Sequence, residues 1–198
     1  MSTQKVANEK VTPRVIILRG CPGTGKSTIS QKVMSLLKRT SKKAYIPIDN
    51  IQHFDLRNAS RDKFKLGIFH AALLCRSFIA ENFDVVIDYV FDKDLDFFVE
   101  KLFHSHSTQL PACKVQVIYI DAEFETIKKR NKTRRDPMPL PVLKKLYAEC
   151  DAQKGTFTGE VVLDTSKLTP KASAKTIVET KNAIVGCSKD GTWILGDI

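Results

Sequence analysis

The chain has 198 residues, 42% of them hydrophobic and 27% charged, a balance that suits one globular domain with one core and excludes a disordered polypeptide. A net charge of +10 and a pI near 9.4 give a surface potential that favours polyanions such as nucleotides, nucleic acid or acidic metabolites, unless the excess lysine is only solvated surface. The apolar runs are of strand length, the first ten residues are polar, and five cysteines (Cys21, Cys75, Cys113, Cys150, Cys187) lack CxxC spacing; together these exclude a membrane span, a signal peptide, a disulfide framework and a zinc site, and predict a soluble, cytoplasmic protein with reduced thiols.

Residues 1–13 are polar and aperiodic, end in Thr12-Pro13, and read as an arm leading into the fold. Val15 to Leu18 is a continuous apolar run, followed by a glycine-rich loop and then by Ile29, Val33, Leu36 and Leu37 at helical spacing. The alternation repeats: a strand over 44–48, a helix over roughly 63–82, a strand over 85–87, a helix over 95–103 and a strand over 115–120. A helix over about 123–134 and another over 141–152 precede a strand at 161–163. Thr169-Pro170 then supplies an N-cap and first-turn proline for a last helix. Residues 14–184 read as one domain, with a lid at about 128–140. Residues 185–198, including Trp193, form a tail to which the pattern assigns no place.

Strands apolar throughout, each followed by a helix, predict a three-layer, doubly wound α/β fold with a parallel sheet of about five strands. Ligands of such sheets sit beyond the strands' carboxyl ends, where Gly20, Asp49, Asp88, Asp121 and Asp164 fall.

Gly20-Cys21-Pro22-Gly23-Thr24-Gly25-Lys26-Ser27 matches G-x-x-x-x-G-K-[ST] between a predicted strand and a predicted helix. The glycines let successive backbone N–H groups converge on a phosphate, and the helix N-terminus adds its positive dipole end. The motif assigns Lys26 to the β- and γ-phosphates of ATP, Ser27 to Mg²⁺ and Thr28 to the α-phosphate. Cys21 lies at a helix N-terminus, a position that lowers a thiol's pKa, or it simply fills the loop.

Asp49, after the second strand, is placed to take a proton from an acceptor hydroxyl as general base; its plain alternative is a turn or cap aspartate. Asp88, after the third strand, fits orientation of the acceptor, a Mg²⁺-bound water, or a loop cap. Arg130 and Arg134 are predicted as an i,i+4 pair on one helix face, able to close over a nucleotide and neutralise the transferring phosphoryl, or else a solvated basic helix end. The prolines at 137, 139 and 141 stiffen the exit from that lid.

These residues resemble the P-loop kinases that phosphorylate hydroxyl groups, most closely the polynucleotide 5'-kinases, over most of residues 14–152. The likeness rests on the phosphate loop through Thr28, on Asp49 and Asp88, and on Lys129-Arg130-Asn131-Lys132-Thr133-Arg134 followed by Pro141-Val142-Leu143 and Tyr147. It implies that Lys26, Ser27 and Thr28 hold phosphates and metal, that Asp49 is the general base, that Arg130 and Arg134 form the lid, and that Thr165-Ser166-Lys167 lies near the adenine. That family has an arginine three residues after the base, where this chain has Gln52; a contact to an acceptor-strand phosphate would then come from elsewhere, with Arg57 and Arg61 as candidates. Asp49-Asn50-Ile51-Gln52-His53 also resembles the acceptor segment of adenylylsulfate kinases, and the layout is similar to chloramphenicol phosphotransferases and zeta-toxin-type kinases. The acceptors in view are therefore a nucleic acid or nucleotide, or a small-molecule alcohol. A non-catalytic ATP-binding regulator is a third reading.

Three other signals carry less. His104-Ser105-His106 lacks a third metal ligand and reads as solvated loop. Asn131-Lys132-Thr133-Arg134 has arginine where a guanine-reading aspartate is needed, which excludes guanine specificity. Phe97, Phe98 and Phe103 fall at near-helical spacing and read as core.

Overall fold

The computed structural model describes residues 12–38, 42–51, 61–91, 93–103, 112–187 and 193–197. Strands and helices follow in the order β1 (Arg14–Arg19), α1 (Lys26–Leu36), β2 (Lys42–Pro47), α2 (Ile48–Ile51), α3 (Arg61–Ala80), β3 (Phe83–Asp88), α4 (Leu95–Phe103), β4 (Lys114–Asp121), α5 (Phe124–Lys132), α6 (Leu140–Asp151), β5 (Val161–Asp164), α7 (Pro170–Glu179), β6 (Asn182–Cys187) and β7 (Trp193–Asp197). Five strands are parallel and lie side by side as β2-β3-β1-β4-β5. This is the doubly wound α/β fold that the alternation of apolar runs predicts.

The pleat explains the three layers. Along β1, Val15 and Ile17 face one way, into a core shared with α3 and α4 residues such as Ile68, Cys75, Phe98 and Leu102. Ile16 and Leu18 face the other way, against Ile29 and Val33 of α1 and Ala174 and Ile177 of α7. All four β1 residues are fully buried, so this strand carries apolar side chains on both faces and reads as a continuous run rather than an alternation. Phe98 is fully buried, and Phe97 and Phe103 pack half-buried against the same core, as their spacing predicts.

β5 departs from that pattern. It is four residues long, has alternate side chains no more than half-buried and leaves Val162 exposed, because at its level it is the edge of the sheet. It pairs with Ile118–Asp121, the carboxyl-terminal half of β4, while β6 pairs antiparallel with the other half at Val115↔Ile184. β7, which begins at Trp193, continues the sheet antiparallel to β6. A β6–β7 hairpin thus extends the five parallel strands to a seven-stranded sheet.

From β1 the chain runs to β2 and β3 on one side, then crosses to β4 on the other. That reversal makes a crevice at the carboxyl end of β1, the place where sheets of this kind bind ligands. No described helix is long and apolar enough to cross a membrane. Most of the expected arm (residues 1–11) and His104 to His106 lie outside the described residues.

Candidate functional site

The loop between β1 and α1 is held down at its root. Gly20 has φ +136°, and a Cβ built on it would stand 2.3 Å from the carbonyl oxygen of Ile120 in β4, so only glycine fits this approach of two backbones. The exit from β3 is fastened alongside: Tyr89 N–H donates to the Leu18 carbonyl (3.1 Å), Gly20 N–H to that of Val90 (3.3 Å), and the buried Arg19 guanidinium to that of Phe91 (2.9 Å). Arg19 is itself paired with Glu160. Gly25 caps α1 in the left-handed region (φ +97°), and among the described residues no side-chain acceptor meets the first-turn N–H groups. Those donors and the helix dipole are therefore available to an anion in the crevice.

Lys26 Nζ donates to the carbonyls of Gly20 (2.7 Å) and Cys21 (3.0 Å), folding back along the loop. Burial lowers its pKa from the ordinary lysine value, and the carboxylates of Asp88 and Asp49 oppose that change. Asp88, buried at the end of β3, accepts at Oδ2 from Tyr45 Oη (2.9 Å) and from Ser30 Oγ (3.4 Å). Burial raises the Tyr45 pKa, and the Asp88 charge raises it further, so the phenol stays a donor. Asp49 sits in the first turn of α2, since β2 ends at Pro47 and the chain turns helical at once. Loss of solvation raises its pKa above the usual carboxylate range, as does the Asp88 charge, while Lys26 and Arg134 pull it down.

Arg130 spans the crevice. Its Nη1 donates to the Thr24 carbonyl (2.9 Å) and its Nη2 to the Thr165 carbonyl (3.1 Å), tying α5 to the β1–α1 loop and to the turn after β5. Thr165 is buried and donates through Oγ1 to the Asp121 carbonyl (2.9 Å). The expected i,i+4 pair on one helix face is not formed: α5 ends at Lys132, and Arg134 lies in the following turn, its N–H bonded to the Asn131 carbonyl at 3.2 Å. The turn brings Arg134 to the same cavity all the same.

That turn is closed by Asn131, a residue whose role the sequence did not reveal. Its buried amide donates through Nδ2 to the Met138 carbonyl (2.8 Å), and Oδ1 accepts from Met138 N–H (3.0 Å). Asn131→Ala leaves both backbone groups without these partners, so stability should fall by about 2 kcal/mol. Hydrogen exchange is the check, with faster exchange expected at Met138 and across residues 133–139, and no change in β1.

Cys21 lies beneath the loop rather than in the crevice. It packs with Ala122, Ile127, Leu143 and Cys150 in a small apolar cluster that joins the loop to α5 and α6. A hydrogen bond with Cys150, together with burial, holds its pKa above the ordinary thiol value, so the lowering expected at a helix N-terminus does not occur. The four described cysteines, Cys21, Cys75, Cys113 and Cys150, are all buried, and none of them forms a disulfide.

These elements enclose a cavity of about 520 Å³, within the range of small-molecule sites. Of the residues singled out from sequence, Pro22 through Thr28, Asp49, Asp88, Arg130, Arg134 and Thr165 line it; Gly20, Cys21, Ser166 and Lys167 do not. Ser166 is instead occupied in a turn, its Oγ bonded to Asp164 Oδ1 (2.6 Å) and accepting from Glu123 N–H (2.8 Å). Gln52, Arg57 and the Arg61 side chain lie outside the described residues. The structure adds Tyr89 and Val90 on the Asp88 side, and Leu168, Pro170 and Ser173 on the other. The Thr169-Pro170 helix start was the available signal for the last group; Thr169 Oγ1 accepts from Ala172 N–H, as an N-cap does.

No protein-family model and no curated protein matches the chain. Solved structures do resemble it. A sugar kinase from Janibacter sp. HTCC2649 superposes with a TM-score of 0.62 at 19% identity, over 85% of this chain and 93% of that one. The APS kinase of Mycobacterium tuberculosis, in complex with AMPPNP and APS, gives 0.58 at 13% over 85% and 95%. The Pnkp1/Rnl/Hen1 RNA repair complex gives 0.53 at 19% over 76% of this chain and 48% of that one. The likeness at these identities is one of fold.

Proposed function

We propose that this chain is an ATP-dependent kinase that transfers the γ-phosphoryl group to an acceptor hydroxyl, with the 5'-hydroxyl of a polynucleotide or nucleotide as first acceptor. One observation carries the reading: a single cavity brings Lys26, Ser27, Asp49, Asp88, Arg130 and Arg134 together at the switch point of the sheet. A phosphate cradle alone would serve any nucleotide-binding protein. A carboxylate with a raised pKa, facing a lysine and an arginine across the same cavity, fits transfer to a hydroxyl.

In this reading the loop N–H groups and Lys26 bind the phosphates, and the Lys26 bonds to Gly20 and Cys21 fix its side chain along the loop. Arg130 ties the loop to the turn after β5, where the base would rest against Leu168 and Pro170. Arg134, whose charge acts on Asp49, faces the transferring phosphoryl. Asp49 accepts the acceptor's proton. The donor set suits Mg²⁺: the Ser27 hydroxyl and the Asp88 carboxylate line the cavity, two oxygen donors for an ion that takes its other ligands from phosphates and water. Bound there, Mg²⁺ would neutralise phosphate charge.

Incubation with γ-labelled ATP and either a 5'-hydroxyl oligonucleotide or a panel of small alcohols tests the reading. Label should appear on the oligonucleotide's 5' end; label only on a small alcohol would transfer the assignment to a small-molecule kinase, the reading that Gln52 favours. Label on neither, with nucleotide still bound, would leave an ATP-binding regulator. The pH profile gives a second check. Asp49 works only when ionised and its pKa is raised, so kcat should fall as pH drops through a value above the unperturbed aspartate pKa of about 3.9. That limb should be missing from the residual activity of Asp49→Asn.

A further inference from the structure

Asp88 is held from two sides, and neither partner belongs to the sequence motif. The pleat puts Tyr45 of β2 and Asp88 of β3 on the α1 face of the sheet, with Tyr45 opposite Val86 in the parallel register. Ser30, fully buried in the first turns of α1, closes the group from above. Both hydroxyls donate to the same carboxylate oxygen, Oδ2, at 2.9 Å from Tyr45 and 3.4 Å from Ser30. Among the described residues no hydrogen bond is made to Oδ1, and Asp88 lines the cavity together with Ser27.

We propose that Tyr45 is a positioning residue for the metal-binding carboxylate: its hydroxyl saturates Oδ2 of Asp88 and so presents Oδ1 to a Mg²⁺-bound water beside Ser27. The assignment rests on the nucleotide reading above. A carboxylate that binds through water needs a fixed rotamer and one oxygen left uncommitted, and a neutral phenol supplies both without adding charge to the site. Outer partners of this kind typically change metal affinity ten- to hundredfold when removed.

The test is a titration of Mg²⁺ into the full chain with a fluorescent ATP analogue, read by fluorescence rather than turnover. Tyr45→Phe keeps the ring against the α1 core and removes only the hydroxyl. It should raise the Mg²⁺ concentration at half effect about tenfold and leave Mg²⁺-free nucleotide affinity within about twofold. Ser30→Ala, which removes the longer bond to the same oxygen, should shift the midpoint in the same direction by about threefold. In an Asp88→Asn background, Tyr45→Phe should add no further shift. An unchanged midpoint, a lowered melting temperature with unchanged Mg²⁺ dependence, or a full shift that persists without Asp88 would each overturn the role of Tyr45 while the nucleotide reading stands. Failure of the wild-type chain to bind the analogue at any Mg²⁺ concentration would overturn both.

Discussion

Asp49→Asn should lower kcat by about a hundred- to ten-thousandfold while nucleotide affinity stays within about twofold of the wild-type value. The substitution keeps the size and the turn at the start of α2 but removes the proposed proton acceptor from a cavity that Lys26 and Arg134 also line. Single-turnover transfer from labelled ATP measures the loss, and equilibrium binding of the nucleotide measures what remains. A variant that transfers as fast as the wild type would remove Asp49 from the chemistry and leave it as the first-turn aspartate of α2. Equal loss of binding and transfer would point instead to a role in holding the loop.

The second large effect concerns stability. Gly20→Ala should destabilise the chain by about 4 kcal/mol, a large share of the roughly 5–15 kcal/mol that holds a domain of ordinary stability. Two costs coincide there. An L side chain is strained at φ +136°, and its Cβ would press within 2.3 Å of a backbone carbonyl in the central sheet, which has no rotamer to give way. Gly155→Ala is the comparison. That glycine is also at positive φ (+71°), but its added Cβ meets only the end of Val162 at 4.0 Å, so about 1 kcal/mol is expected. Denaturant melts of the two variants should differ accordingly; similar midpoints would show that the close approach at Gly20 is not what constrains the loop.

What the sequence disclosed and what it hid follow from the range of the interactions. Fully buried strands announce themselves as apolar runs, so β1, β3 and β4 are legible to within two residues, and the glycine-rich loop after β1 is a local motif with local geometry. Interactions set by tertiary packing left no such trace. Nothing in Tyr45 itself says that its hydroxyl meets a carboxylate on the neighbouring strand, because that depends on the register of β2 against β3. Asn131 looked like part of a basic helix end, and its bond to Met138 depends on the helix stopping at Lys132. The β6–β7 hairpin did leave a signal, Asp190-Gly191 between two apolar runs, which is a recognised turn dipeptide. Of the two readings of Cys21, the loop-filling one holds: the helix-end position argues for a low pKa, but the side chain turns under the loop, where Cys150 and burial dominate.

That small cluster of Cys21, Ile127, Leu143 and Cys150 also sets the mechanics of the crevice. Floor and roof share one hinge pin: the loop that would cradle the phosphates is glued to the base of the α5–α6 arm above it. Swinging the whole arm away would wet those side chains at a cost of about 25 cal/mol for each Å² exposed. Travel is therefore cheapest at the tip, around the turn that carries Arg134 and is stapled by Asn131, where the neighbouring residues are already exposed. The arm should work like tweezers soldered at one end, flexing at the points rather than opening at the joint.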